Sequence, residues 1–202
     1  MGWSGEQLDR NSRGNSEIPF IPFPEDPNFI ELDGQKVIDY ISPEVISTRI
    51  KTISGLVNLV DFDSVVVNAK GGWFLYHKLA RLQNFGGQPV EVAYHRPQES
   101  YGAIVVKQIP EELKNSRLLM IEDILDTGGV LDAMMKDAPN STAVVAVRKR
   151  NIPSQIQTPN TFVAVETENY WLGGFGMDFG VDGYPTDFPR NYPGIVVMPE
   201  SL

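Results

Sequence analysis

Apolar residues in this chain come in short blocks, and two periodicities alternate along it. Val65–Val67 (VVV), PVEVAYH at 89–95, RLLMI at 117–121, TAVVAVRKR at 142–150 and TFVAVET at 161–167 read as buried strands. Between them, WFLYHKLARL at 73–82 has helical spacing and closes at Gly86-Gly87, and VLDAMMKDA from Val130 reads as a second crossover helix. Ser42-Pro43-Glu44 has the chemistry of a helix start: serine as N-cap, proline in the first turn, an acid near the positive end. Val45, Ile46, Ile50 and Ile53 follow near helical spacing. Strands alternating with helices predict an α/β fold, a parallel sheet flanked by helices with right-handed crossovers. Ligands of such sheets sit beyond the carboxyl ends of the strands.

The remaining segments are less regular. Residues 1–17 are polar and expected to be flexible. Residues 18–29, IPFIPFPEDPNF, hold four prolines and three phenylalanines, which forbids a regular helix and predicts an extended arm, its phenylalanines packed onto the domain surface or onto a partner. Residues 96–116 are polar and long, with room for a short hairpin, and the chain from Tyr170 onward is rich in glycine, proline and aromatics.

Composition narrows the chemistry. A length of 202 residues suits one domain with some decoration. There is no cysteine, so neither a disulfide nor a thiolate metal site is available, and two histidines argue against a multi-histidine metal centre. A net charge of −9 argues against nucleic acid as a partner, because such binding needs cations to displace counterions from phosphate. No apolar run approaches the roughly 20 residues of a membrane span. The first residues also lack a signal-peptide core, so the expected location is cytoplasmic with no membrane partner.

Two strand ends carry unusual chemistry, NAKGG at 68–72 and EDILDTGG at 122–129. In the second, Asp126-Thr127-Gly128-Gly129 precedes a helix. Backbone N–H groups there, with glycines allowing close approach and a threonine hydroxyl beside them, make an anion site suited to phosphate. It is not a P-loop, whose GxxxxGK[ST] pattern is absent. Glu122 and Asp123 repel a phosphate but accept from the paired hydroxyls of a ribose, or hold a hydrated Mg²⁺. Phosphate donors beside hydroxyl acceptors suggest a sugar phosphate, and Asp126 between them is placed to act as a base.

EDILDTGG resembles the signature of the type I phosphoribosyltransferases, which use 5-phosphoribosyl 1-diphosphate (PRPP) with Mg²⁺. The resemblance implies that Glu122 and Asp123 bind the ribose hydroxyls. It also implies that Thr127, Gly128, Gly129 and Val130 cradle the 5′-phosphate, with Val130 standing where many members carry another hydroxyl. The rest of the chain, over roughly residues 40–198, resembles the 6-oxopurine branch, which acts on hypoxanthine, guanine and xanthine. NAKGG is similar to its diphosphate loop, which implies amides around Ala69, Lys70 and Gly71 facing the diphosphate and a cis Ala69–Lys70 peptide. VVAVRKRN resembles the strand bearing the purine-reading lysine. Arg148 and Lys149 compete for that role on opposite faces, and Lys149 aligns better with the branch. NYWLGGFGMDF resembles its aromatic-then-acid segment, which implies Trp171 stacking on the base, Leu172 offering its backbone to the base edge, and Asp178 holding Mg²⁺ together with Glu122 and Asp123. FPRNYPGIVV resembles its last strand, with Arg190 meeting the diphosphate. Ser100-Tyr101 is similar to the pair on its closing loop.

The implied architecture is a type I phosphoribosyltransferase-like sheet with a small hood formed from the terminal segments. Residues 1–39 are expected to be a flexible N-terminus and arm, and 40–202 the catalytic domain with its C-terminal hood segment. The implied activity is purine salvage from PRPP and a purine base, by a homo-oligomer, dimer or tetramer. Two other readings stand beside it: transfer to another nucleobase, and a non-catalytic PRPP-sensing regulator of the same fold.

Overall fold

The computed structural model describes residues 18–95, 103–150, 160–180, 185 and 187–199. In chain order the elements are β1 (Phe20–Ile21), β2 (Phe29–Leu32), β3 (Gln35–Ile41), α1 (Pro43–Ser54), β4 (Ser64–Asn68), α2 (Gly72–Leu82), β5 (Val90–His95), β6 (Ile104–Lys107), β7 (Leu118–Leu125), α3 (Gly129–Asp137), β8 (Thr142–Lys149), β9 (Thr161–Thr167), β10 (Leu172–Gly173) and β11 (Ile195–Val197). Seven strands form one sheet in the order β1-β9-β8-β7-β4-β5-β6, and four form a second, β10-β11-β3-β2. The first is parallel except where β6 turns back on β5; the second is antiparallel. The second sheet joins residues 29–41 to the chain's last strands, and is the hood.

Period-two alternation explains why the central strands read as unbroken apolar runs. Val65 and Val67 of β4, Leu119 and Ile121 of β7, and Val144 and Ala146 of β8 share a core with α1 and α2. Val66, Leu118, Met120, Ala143 and Val145 face the other way, onto Leu131 and Met134 of α3. Both faces are covered, so neither can carry polar residues.

Several boundaries differ from the sequence reading. β7 runs past the expected Leu118–Ile121 to Leu125, because Ile124 and Leu125 still find backbone partners opposite Val147 and Arg148. Its acids therefore lie within the strand rather than beyond it. In α1, Ser42 Oγ accepts from the Val45 amide at 3.5 Å and Pro43 occupies the first turn. Ile46, Ile50 and Ile53 are buried, but Val45 lies one position off that stripe and is 42% exposed. The polar segment does hold a hairpin strand, β6; Ser100-Tyr101 lies outside the described residues. The boundary drawn at residue 39 falls inside β3, so residues 29–39 are hood rather than arm. The arm proper, β1, pairs in parallel with β9, Phe20 opposite Glu166 and Ile21 opposite Thr167.

Candidate active site

Parallel pairing brings the carboxyl ends of β4, β7, β8 and β9 side by side, and the polar residues gather there. Asn68, Glu122, Asp123, Lys149 and Thr167 are all buried polar residues at these ends. Asn68 binds three groups at once. Its Oδ1 accepts from the Tyr94 amide at 2.8 Å, and its Nδ2 donates to the Tyr94 carbonyl at 2.9 Å and to Glu122 Oε2 at 2.8 Å. Burial pushes the Glu122 carboxyl well above the usual carboxylate range, and the neighbouring Asp123 adds to this; the Asn68 hydrogen bond pulls the other way.

Asp123 lies directly over the NAKGG turn. A Cβ at Gly71 would stand 1.6 Å from Asp123 Oδ2, so the carboxylate fills the space any other side chain would need. The Ala69–Lys70 peptide ahead of it is cis, and α2 begins at Gly72. The other turn, after β7, passes through Gly128 with φ +84° into α3, whose Asp132 amide donates to Gly128 O at 2.9 Å. Thr127 is half-buried, and Val130 packs against the Leu131–Met134 cluster, so its side chain serves the core.

Lys149 and Asp126 meet at this edge, Nζ to Oδ1 at 2.9 Å, with side chains only 10% and 24% exposed. Arg148 goes elsewhere. It pairs across the sheet with Glu166, which also accepts from Arg150 Nε at 3.0 Å. Alternation along β8 thus separates the two adjacent cations, one toward β7's turn and one toward β9.

The hood supplies the remaining candidates. Trp171, just before β10, is 41% exposed, and its indole N–H donates to the Phe179 carbonyl. Leu172 is buried and pairs with Val197. Arg190 donates to Asp178, to the Gly176 carbonyl and, through Nε at 3.1 Å, to Asp187. Asp187 also accepts from Lys70 Nζ at 3.1 Å. The loop lysine and the hood arginine are therefore joined through one carboxylate, and those two cations hold Asp187 below the usual carboxylate range. Contact between hood and loop is close: a Cβ on Gly176, at φ +95°, would stand 2.4 Å from the Gly71 carbonyl.

Sequence reasoning passed over Asn68 and Asp187. Asn68 carried one signal, an amide ending a buried strand, where an unpaired polar group is costly. Asp187 carried none, because its partners lie 117 residues upstream and three downstream.

A parallel sheet with acids and a glycine turn at its carboxyl edge, capped by an antiparallel hood drawn from both ends of the chain, defines the type I phosphoribosyltransferase fold. Solved structures agree. The hypoxanthine phosphoribosyltransferase of Trypanosoma cruzi, a point mutant complexed with the product IMP, superposes with a TM-score of 0.63, covering 88% of this chain and 94% of that one at 21% identity. A hypoxanthine-guanine phosphoribosyltransferase from Bacillus anthracis gives 0.61 over 85% and 98%, at 16% identity. In sequence, the chain is 24% identical over 182 residues to the hypoxanthine-guanine phosphoribosyltransferase of Aquifex aeolicus, covering 83% of this chain and 98% of that protein. It is 25% identical over 115 residues to the enzyme of that name from Streptococcus mutans, covering 54% and 61%. No protein-family model matches the sequence. The solved structures, at 16% and 21% identity, show the fold alone, that of the phosphoribosyltransferases, and both curated relatives carry the name hypoxanthine-guanine phosphoribosyltransferase.

Proposed function

We propose that the protein is a purine phosphoribosyltransferase. It transfers the 5-phosphoribosyl group of PRPP to N9 of a 6-oxopurine, hypoxanthine, guanine or xanthine, and releases diphosphate, a salvage reaction. The observation that carries this reading is the Lys149–Asp126 pair at 2.9 Å. A 6-oxopurine presents O6 and N7 next to each other on one edge. O6 only accepts, which suits an ammonium with three donors. N7 must lose or share its proton as N9 attacks, which suits an adjacent carboxylate. A cation and an anion held side by side match that edge. A pyrimidine has no N7, and adenine offers a donor where Lys149 needs an acceptor.

The other residues take complementary roles. The amides of residues 127–130 at the start of α3 receive the 5′-phosphate, with Thr127 adding a hydroxyl. Glu122 and Asp123 take the ribose hydroxyls. Trp171 offers its exposed face to the base, and the Leu172 backbone borders the base edge. The amides around Ala69, Lys70 and Gly71, with Arg190, face the leaving diphosphate. For Arg190 to do so, the diphosphate must share it with Asp178 and Asp187.

Mg²⁺ fits the donor set. This ion keeps most of its water and takes one or two carboxylates plus substrate phosphates. No cluster of three or more potential ligands occurs among the described residues. Asp178 and Asp123 are the carboxylates that would hold it, with Glu122 nearby, and bound there it would neutralise charge on the departing diphosphate. No helix among the described residues is long and apolar enough to cross a membrane. The reading carries with it a cytoplasmic homo-oligomer, dimer or tetramer, which light scattering on the purified protein checks.

The deciding experiment is diphosphate release from PRPP and Mg²⁺ with hypoxanthine, guanine, xanthine, adenine, uracil and orotate offered separately. Turnover confined to 6-oxopurines is the expected result. Turnover only with another base moves the assignment to that base. No turnover with saturable PRPP binding replaces it with a PRPP-sensing regulator.

A further inference from the structure

The Pro/Phe arm has no role in the chemistry described so far, yet it is fastened to the site's own framework at several points. β1 pairs with β9 at that strand's carboxyl end, opposite Glu166 and Thr167, on the ligand side of the sheet. The Phe20 ring lies against the Arg150 guanidinium, the residue after Lys149. Arg150 is otherwise held by Glu166 and, at 3.8 Å, by Glu168, and its amide donates to the Thr167 carbonyl at 2.8 Å. The Ile21 carbonyl accepts from the Tyr40 hydroxyl, whose pKa burial pushes up to about 12, so that hydroxyl remains a donor at any physiological pH. Phe23 then completes a triangle of rings with two tyrosines. Its centroid lies 5.7 Å from Tyr40 and 4.9 Å from Tyr170, and those two rings meet edge-on at 6.0 Å. Tyr170 directly precedes Trp171.

We infer that the arm is a positioning element for the base site: Phe23, packed against both Tyr40 and Tyr170, sets the placement of Trp171, and Phe20 steadies the end of β8 that bears Lys149. The inference deepens the proposed reading and rests on it for the identity of the ligand, a purine base. The physical argument is one of support. Trp171 is 41% exposed; among the described residues its indole is held by the Phe179 carbonyl and its own carbonyl by the Met198 amide at 3.3 Å, which leaves the Tyr170 side for the arm to support. An aromatic ring fixed on two sides does this at low entropic cost, since it has two torsions to restrain. PRPP meets a different part of the molecule, the α3 turn and the NAKGG loop, which the arm's described contacts do not reach. Loss of the arm's grip therefore acts on the base and spares PRPP.

The test is made on full-length protein in which Trp3 and Trp73 are replaced by phenylalanine, so that Trp171 is the only indole. Phe23→Ala and Phe23→Tyr are compared with the parent in three measurements: acrylamide quenching of Trp171, KM for the purine base, and PRPP affinity. Phe23→Ala is expected to make Trp171 more quenchable and to raise the base KM about fivefold, the scale of one lost aromatic pair. PRPP affinity stays unchanged, and Phe23→Tyr, which keeps the ring, restores most of the loss. Unchanged quenching and unchanged base KM would overturn the inference while leaving the proposed function standing. An equal loss for base and PRPP would overturn it too, reducing the arm to a general structural brace. If the parent turns over no base, the functional reading fails, and quenching alone then decides the arm's role: a change that Phe23→Tyr reverses upholds it, and no change ends it.

Discussion

Asp126 pairs with Lys149 at 2.9 Å, and in the proposed reaction the same carboxylate would also receive the proton from the base. Asp126→Asn keeps the shape and removes the basicity. Turnover should fall at least about 100-fold with little change in PRPP affinity. Steady-state kinetics with a calorimetric PRPP titration checks this, and unchanged turnover would remove Asp126 from the mechanism. Gly71 is the other residue where a single atom decides. Because its Cβ would overlap Asp123, Gly71→Ala must displace that carboxylate or shift the loop. We expect a stability loss of about 1–3 kcal/mol in urea denaturation. PRPP affinity should weaken about tenfold, as expected where a small displacement spoils a bound geometry. Both sites lie in motifs visible along the chain, since glycine turns and strand-end acids are local signals. That Asp123 occupies the space over Gly71 was not visible, because the two residues belong to different strands.

Between elements, the β8–β9 pair carries a cluster of charge. Glu166 lies opposite Arg148 in register and accepts from both Arg148 and Arg150. Burial alone would raise its pKa, but the two guanidiniums outweigh burial and lower it. A carboxyl depressed in the folded state stabilises the protein above its unfolded pKa, about 4.3 for glutamate, and that stability is lost as pH falls through the folded value. Glu166→Gln should therefore cost about 1 kcal/mol near neutrality, a modest figure because both arginines are partly exposed. The gap from wild type should close as pH is lowered from 7 to 3. Urea denaturation across that range reads it, and a gap that persists at pH 3 would show that the glutamate acts by shape rather than charge. The same pairing settles where Arg148 points. From the sequence, alternation put Arg148 and Lys149 on opposite faces and the resemblance favoured Lys149 for the site; Glu166 on β9 is what holds Arg148 away from the turn after β7.

Across the whole molecule, the hood and the sheet meet over the NAKGG loop, with Gly176 against the Gly71 carbonyl and Asp187 joining Lys70 to Arg190. A ligand gripped by both should stabilise them together. PRPP with Mg²⁺ at about 100 times its Kd should add about 2.7 kcal/mol to the folded state, seen as a rise in melting temperature. Gly176→Ala forces the hood off the loop and imposes a left-handed φ on a residue with a side chain. In that variant the PRPP-dependent rise should fall by at least half, a sign of roughly tenfold weaker binding. A full-sized rise would mean that the hood takes no part in holding PRPP.

The amino-acid sequence by itself determined the core strands, the two crossover helices, the helix start at Ser42 and the signature turn at residues 122–129. Those features depend on spacing along the chain: apolar runs where both faces of a sheet are covered, glycines where a turn needs them, a serine where a helix needs a cap. Only the tertiary structure decided that β7 continues through its own acids, that Asn68 holds Glu122, that Asp187 bridges loop and hood, and that an arm of prolines and phenylalanines supports the residue before Trp171. Each of these joins positions far apart in sequence. Their energies come from register between strands and from close approach in space, which no local pattern encodes.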